Sequence, residues 1–252
     1  MTFDRLDDEL AHWADGGREA TFWWRDDDAV AMTPALAPLL ELARVHEVPV
    51  ALAVVPAALD GSLVAAVASA PQSTIVQHGY AHRNHAPAGA KSRELGVDRP
   101  LGVVLAELGV GSGRLRVAFG PRFEPVLVPP WNRIDPHVVA MLPAQGFAGL
   151  STFGPRASRE ATPGVVCCNA HADPIAWRDG RRFVGADRAL DAVLEHLARR
   201  RQGTADRDEP TGLLTHHLVF DAEAWRFVGE FFARTRRHPA ARWVGVAEAM
   251  RS

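Results

Sequence analysis

Cysteine is nearly absent from this chain. The only two in 252 residues, Cys167 and Cys168, are adjacent. Neighbours in sequence rarely reach unstrained disulfide geometry, so the pair reads as buried thiols of a reducing compartment. No Cys-rich metal framework exists. An excess of one charge is also missing. The 28 basic and 30 acidic residues leave a net charge of −2. With no basic arm or acidic tail, nothing points to nucleic acid. No run approaches the roughly 20 apolar residues of a membrane span. The acidic start MTFDRLDDEL lacks the basic patch and apolar stretch of a secretory signal. The expectation is a cytoplasmic protein with neither a membrane span nor a nucleic-acid partner. Repeats and low-complexity stretches are absent too. What is present is ordinary for a globular protein: 47% hydrophobic and 23% charged residues. The chain is long enough to bury a core without staples, and it is expected to form one domain over residues 1–252.

Short apolar runs alternate with helical patterns. Strands are expected at 20–25, 49–55, 74–77, 126–128, 147–151, 165–168, 212–215 and 243–246. Helices are expected at 34–46, 63–70, 136–145, 186–201 and 221–237, the last capped by Asp221. Segments 86–99 and 202–210 read as loops. Alternation of this kind implies right-handed βαβ units and a largely parallel sheet. Seven or eight strands in such a chain are barrel-sized.

Polar clusters follow the expected strands: Asp26-Asp27-Asp28, then His78, His82 and His85, then Pro130-Trp131-Asn132-Arg133, then His216-His217. A fifth, His171 to Trp177, comes a few residues after its strand. The carboxyl ends of parallel barrel strands form one face, so these clusters should share one pocket. Taken alone, three aspartates read as a solvated turn or a helix cap. A divalent ion would relieve their mutual repulsion. His78 and His82 share a face if 78–82 is helical, a common ligand spacing, although surface or core histidines have the same pattern. Two His and one Asp leave coordination positions open, as in catalytic sites. Trp131 is a pocket wall or a core residue. Asp173 and Trp177 read as a supporting carboxylate and a wall, or as a turn and a packed ring. At most one of His216 and His217 faces a pocket, with proton transfer as its use.

In this order the motifs resemble those of the polysaccharide deacetylases, metal-dependent carbohydrate esterases. The resemblance spans Phe22 to about Phe220 and implies an α/β fold, a distorted (β/α)7-type barrel. The family's Thr-Phe-Asp-Asp motif is similar to Arg25-Asp26-Asp27-Asp28-Ala29. This implies Asp27 as general base and Asp28 as metal ligand, with Asp26 as an extra. A register one residue earlier stays open. The His-x-x-x-His motif implies His78 and His82 as ligands. The Arg-x-Pro-Trp motif looks like Val128-Pro129-Pro130-Trp131, with the base-orienting arginine replaced by valine. Arg25 and Arg133 are the candidates to stand in for it. The fourth motif is similar to Asp173–Trp177. The Leu-x-His motif looks like Leu214-Thr215-His216, implying His216 as general acid, with His217 its rival.

The resemblance thus implies removal of an acyl group, foremost acetyl, from an N-acylated sugar. The cofactor would be a divalent metal: Zn²⁺ for these N/O ligands, or Co²⁺, Ni²⁺ or Mn²⁺. Asp26, Trp131, Arg133, Asp173 and Trp177 would contact substrate or support the site. The partner would be a small or oligomeric acylated sugar. Other readings are an inactive sugar-binding or regulatory relative, a hydrolase of a non-sugar C–N bond, a metal-independent amide hydrolase, and an Fe(II) oxygenase.

Overall fold

The computed structural model describes residues 3–251. Met1, Thr2 and Ser252, the ends of the expected domain, lie outside the described residues. The chain opens with α1 (Asp4–Asp15), β1 (Ala20–Ala29), α2 (Leu36–His46) and β2 (Val50–Val54). Next come α3 (Gly61–Ala68), β3 (Ser73–His78), α4 (Leu101–Phe119), β4 (Phe123–Val128) and α5 (Pro136–Met141). The short strands β5 (Gly149–Leu150), β6 (Glu160–Thr162), β7 (Val165–Cys167), β8 (Ile175–Ala176) and β9 (Arg182–Phe183) follow. The chain finishes with α6 (Ala186–Gln202), β10 (Thr211–Thr215), α7 (Ala222–Arg237), β11 (Ala241–Trp243) and α8 (Val246–Ala249).

The sheet runs β10-β1-β2-β3-β4-β5-β7-β6, with β11 beside the start of β1. Every pair is parallel except β6–β7. Past β7 the chain bridges back to β10 through Ala172 and Leu213. The amides of His171 and Ala172 donate to the Gly212 carbonyl, and Leu214 N–H donates to the Ala172 carbonyl. A single bridge rather than a full ladder makes the closure, so this is a distorted β/α barrel of seven parallel strands.

Alternation along the strands builds two cores. Trp23, Ala51, Ala53, Val76, Val126 and Val128 point to the inside of the barrel. Phe22, Trp24, Val50, Leu52, Val54 and Ile75 point outward, into a core shared with α1, α2, α6 and α7. Each valine, leucine, isoleucine or phenylalanine among them, fully buried, contributes about 1.5–3 kcal/mol. Aspartates cap α3, α5 and α7 at Asp60, Asp135 and Asp221.

Two helices, α1 and α4, were not legible in the sequence. The expected 136–145 helix breaks at Pro143 into α5 and a short turn. The last strand lies at 241–243, ahead of the expected position. The segment 78–82 is not helical: β3 ends at His78, and Gly79 and His82 both have positive φ.

Candidate metal centre

The β1 terminus sets the chemistry. Trp23, Arg25 and Asp27 share its inner face, whereas Asp26 lies on the outer face with Trp24. The outer placement buries Asp26 completely. There it accepts from Thr215 Oγ1 at 2.6 Å and from His217 N–H at 3.1 Å, and it pairs with His217 Nδ1 at 2.5 Å. Asp26 does not line the pocket, so it supports the wall rather than touching a ligand. A regular strand would send Asp28 outward as well. Instead the β1–β2 register shifts between Asp26 and Ala29, and Asp28 turns at φ 72°. This bulge re-aims its carboxylate into the pocket beside Asp27.

Asp28 Oδ1 lies 3.3 Å from His78 Nε2 and 3.3 Å from His82 Nε2. His78 Nδ1 is 2.9 Å from the Val128 carbonyl. A carbonyl only accepts, so Nδ1 carries the proton and Nε2 presents its lone pair. Both Nε2 atoms approach the same carboxylate oxygen, and the three donor atoms lie within 4.8 Å of one another. Two ligands about 2.0–2.1 Å from a tetrahedral ion sit roughly 3.3 Å from each other. The donor set fits a divalent metal in type and spacing. Burial opposes the charge of Asp28, but the hydrogen bond and charge of His78, with the charges of His82 and His216, hold its carboxyl well below the ordinary range. Burial likewise opposes protonation of His78, yet Asp27 and Asp28 raise it. Burial and then the His78 charge lower His82.

His82 reaches this point from an irregular loop, and Glu94 shapes that loop. The buried Glu94 carboxylate accepts from the N–H groups of Tyr80 at 3.0 Å, Ala81 at 2.7 Å and Arg83 at 3.4 Å. A Cβ at Gly79 would sit 2.0 Å from Glu94 Oε2 and 2.7 Å from Pro130, at φ +54°. Glycine is therefore required where the loop leaves β3. Neither residue was singled out from the sequence, because a lone Glu in a polar loop carries no motif.

Asp27 is held by Arg25. The guanidinium meets both carboxylate oxygens, Nε at 2.9 Å from Oδ1 and Nη2 at 3.1 Å from Oδ2. Its remaining donors reach Asn132 Oδ1 at 2.8 Å, Ser151 Oγ at 2.8 Å and the Ser151 and Thr152 carbonyls at 3.2 Å. Val128 is buried in the inner core. Arginine is thus supplied to Asp27 from β1 itself, not from the position before the Pro129-Pro130 pair. Arg133 lies elsewhere on the pocket, donating to the Ser92 carbonyl at 2.8 Å.

The pocket holds about 740 Å³ and draws on all five polar clusters. Asp27, Asp28, His78 and His82 line it, and so do Trp131, Asn132, Arg133, Asp173, Trp177 and His216. Phe153, Ile175 and Arg181 complete the wall and were missed in the sequence. His216 faces in: its Nε2 lies 3.9 Å from Asp27 Oδ2, and Trp177 meets its ring edge-on at 4.6 Å. His217 does not line the pocket. It is buried against Asp26, whose charge and hydrogen bond raise its pKa against the opposing effect of burial. Asp173 accepts from Ile175 N–H at 3.0 Å and Trp177 Nε1 at 2.6 Å, so it is at once a turn and a brace for the wall. Burial raises its pKa, with the His216 charge opposing. His171 turns away from the pocket entirely.

Backbone strain concentrates here. Six non-glycine residues among those described have positive φ: Asp28, Glu47, His82, Trp131, Asn132 and Arg181. All but Glu47, which ends α2, line the pocket. Such conformations cost of order 1–3 kcal/mol each and gather at functional sites.

A second histidine group, His171, His196 and Glu209, does not fit a metal. Its imidazoles stack 3.4 Å apart and 13° from parallel, so no ion lies in both ring planes. Gly212 N–H also occupies the lone pair of His171 Nδ1, leaving Nε2 to carry the proton toward Glu209, 3.3 Å away. The two cysteines are inert. Burial pushes Cys167 up to about 11 and Cys168 well above its ordinary value.

By sequence, the chain matches no family model and no curated protein. By fold, it is similar to a Mycobacterium smegmatis protein provisionally described as a polysaccharide deacetylase, with TM-score 0.66, 15% identity, and coverage of 92% of this chain and 90% of that one. A peptidoglycan N-acetylglucosamine deacetylase matches with TM-score 0.61 and 14% identity over 93% and 89% of the two chains. A family 4 acetyl xylan esterase from Clostridium thermocellum, with a cobalt ion, gives TM-score 0.54 and 12% identity over 92% and 90%. At these identities the likeness establishes the fold: this chain has the barrel of the polysaccharide deacetylases.

Proposed function

We propose that the protein is a divalent-metal-dependent hydrolase that removes an acyl group, foremost acetyl, from an N-acylated sugar. One observation carries the reading: Asp28, His78 and His82 converge beside a carboxylate clamped by arginine, at the floor of a pocket with aromatic walls. The shared fold supports it, since the neighbours named above are deacetylases and an esterase of carbohydrate.

Asp28, His78 and His82 are the proposed ligands. When bound, a divalent ion supplies Lewis acidity, acidifying a water and polarising the acyl carbonyl. Zn²⁺ suits the N/O donors, with Co²⁺, Ni²⁺ and Mn²⁺ as alternatives. Asp27 takes the proton of the attacking water, and Arg25 fixes the direction of its oxygens. His216, whose Nε2 lies 3.9 Å from Asp27 Oδ2, hands a proton to the leaving amine. Trp131, Phe153 and Trp177 offer flat faces for a sugar ring, and Arg133 offers a donor to its hydroxyls. An inactive relative draws its support from valine at position 128, and the arginine that Arg25 brings to Asp27 weighs against it. No described helix is long and apolar enough to cross a membrane. A cytoplasmic, small or oligomeric substrate belongs to the same proposal.

Metal analysis of purified wild type beside His78→Ala tests it, together with acetate release from N-acetylated chitooligosaccharides. Near-stoichiometric metal and acetate release in wild type, both lost in the variant, are expected. Absence of metal in both proteins after reconstitution with Zn²⁺, Co²⁺, Ni²⁺ and Mn²⁺ would overturn the metallohydrolase.

A further inference from the structure

A second cavity, of about 570 Å³, opens at the other end of the barrel, lined by seven arginines and only three carboxylates. Thr21, at the start of β1, lies in its wall. Six residues of strand separate it from Asp27, roughly 20 Å. An excess of four positive charges gathers there in a chain whose net charge is −2. Several of the arginines have partners: Arg156 meets Asp206 at 2.8 Å, Arg242 meets Glu248 at 2.5 Å and Glu19 at 3.3 Å, and Arg159 donates to the Arg251 carbonyl at 2.5 Å. The third acid, Asp208, is exposed and acts on Arg200 only through space.

Arg200 forms the floor and is 1% exposed. Its donors all go to neutral oxygens: Thr21 O and Oγ1 at 2.9 Å, Thr211 Oγ1 at 3.1 Å, and the Arg207 carbonyl at 3.2–3.3 Å. Among the described residues, no carboxylate touches this buried cation. Burial pulls Arg200 down to about 10, opposed by the charge of the buried Glu209 and reinforced by that of Arg18. Arg18 and Arg200 each lie 4.9 Å from the centre of the buried Trp13 ring. The indole braces two like charges. The Arg18 and Arg207 side chains form no hydrogen bond or ion pair with any described residue. Both keep their guanidinium donors available at the rim.

The charge of Glu209 offsets only part of the cost of burying Arg200, and an anion entering the cavity would offset more of it. Guanidinium forks match the oxygens of phosphate, a dianion better suited than a carboxylate to this excess of charge. We propose that this basal cavity binds a phosphate-bearing small molecule, with Arg18 and Arg207 donating hydrogen bonds to the phosphate above the fixed charge of Arg200. The cavity leaves room beside the phosphate for an organic group of sugar size. The site is separate from the metal centre and does not depend on the hydrolase reading.

Calorimetric titration of the whole protein with inorganic phosphate and with glucose 6-phosphate tests it, wild type beside the double variant Arg18→Ala/Arg207→Ala. Thermal melting of both proteins checks that the variant folds, and acetate release should be unchanged in it. Submillimolar binding in wild type, weakened at least tenfold in the variant, is expected. Should neither soluble ligand bind, co-sedimentation with vesicles containing phosphatidic acid, lost in the variant, would identify a lipid phosphate as the source. Binding of equal strength in both proteins, or none to phosphate, sugar phosphate or vesicles, would overturn the proposal.

Discussion

A carboxylate that accepts a proton inside a barrel has to be aimed, and Arg25 aims Asp27 through both oxygens. Asp27→Asn keeps the shape but not the base. It should cost at least a hundredfold in turnover while metal content stays at the wild-type level. Loss of metal in that variant would make Asp27 a ligand instead. Arg25→Met leaves a buried carboxylate without its cation, which costs about 3–5 kcal/mol. Denaturant unfolding should register that loss. Turnover should fall at least tenfold in protein that still binds metal, and unchanged turnover would leave Arg25 a merely structural residue. His217 makes a pH-dependent contribution. Its folded pKa is raised by Asp26, so the stabilisation is fully present below the unfolded value of about 6.5 and is lost as pH rises through the folded value. Relative to His217→Asn, wild type should show a larger melting-temperature advantage at pH 6 than at pH 9. The reverse order would refute the charged pair. The three aspartates were legible as a group and not individually. Strand alternation assigns Asp26 and Asp27 to opposite faces, but the turn that brings Asp28 back depends on a left-handed φ and a register shift, which residue types alone do not reveal.

At the scale of elements, apolar runs bounded by turns were read correctly for β1, β2, β3, β4 and β10, because a strand buried on both faces has few other readings. The helix α4 was hidden by its own composition. Its sequence, LGVVLAELGVGSGRLRVAF, carries four glycines that lower helix propensity. One of them is a packing requirement, since a Cβ at Gly111 would come within 2.5 Å of Gln77 Nε2. The loop after β3 shows the same limit. A helix was the natural reading of His78 and His82, but the pairing comes from a loop wound round Glu94, through contacts across 11 to 14 residues with no local signature. Three backbone N–H groups meet that one carboxylate. Glu94→Gln turns an amide NH₂ toward some of those donors and loosens the loop. Metal affinity should drop about 10–100-fold, the usual effect of disturbing a group that orients a ligand, measurable by competition with a chromogenic chelator. Wild-type affinity would show that His82 is positioned without Glu94.

At the scale of the whole molecule, the proposed metal centre would join strands that are otherwise held through the sheet. Asp28 belongs to β1, His78 to β3, and His82 to the loop beyond it. Across the pocket the barrel closes through a single bridge between Ala172 and Leu213. An ion gripping Asp28, His78 and His82 is bound by the folded chain and not by the unfolded one. Its binding energy is therefore folding energy. At a free metal concentration about a hundred times Kd the linkage amounts to roughly 2.7 kcal/mol. For a chain of this size that corresponds to roughly 5–10 °C in melting temperature. Chelation should lower the wild-type Tm by that amount, and readdition of the native metal should restore it. In Asp28→Asn the gap should close, because the carboxylate that draws His78 and His82 together is gone. The basal cavity gives an internal control. Arg18→Ala/Arg207→Ala alters the opposite end of the barrel and should keep the full metal-dependent gap. A gap that persists in Asp28→Asn would place the stabilising ion elsewhere in the molecule and would sink the assignment of this triad as its ligands.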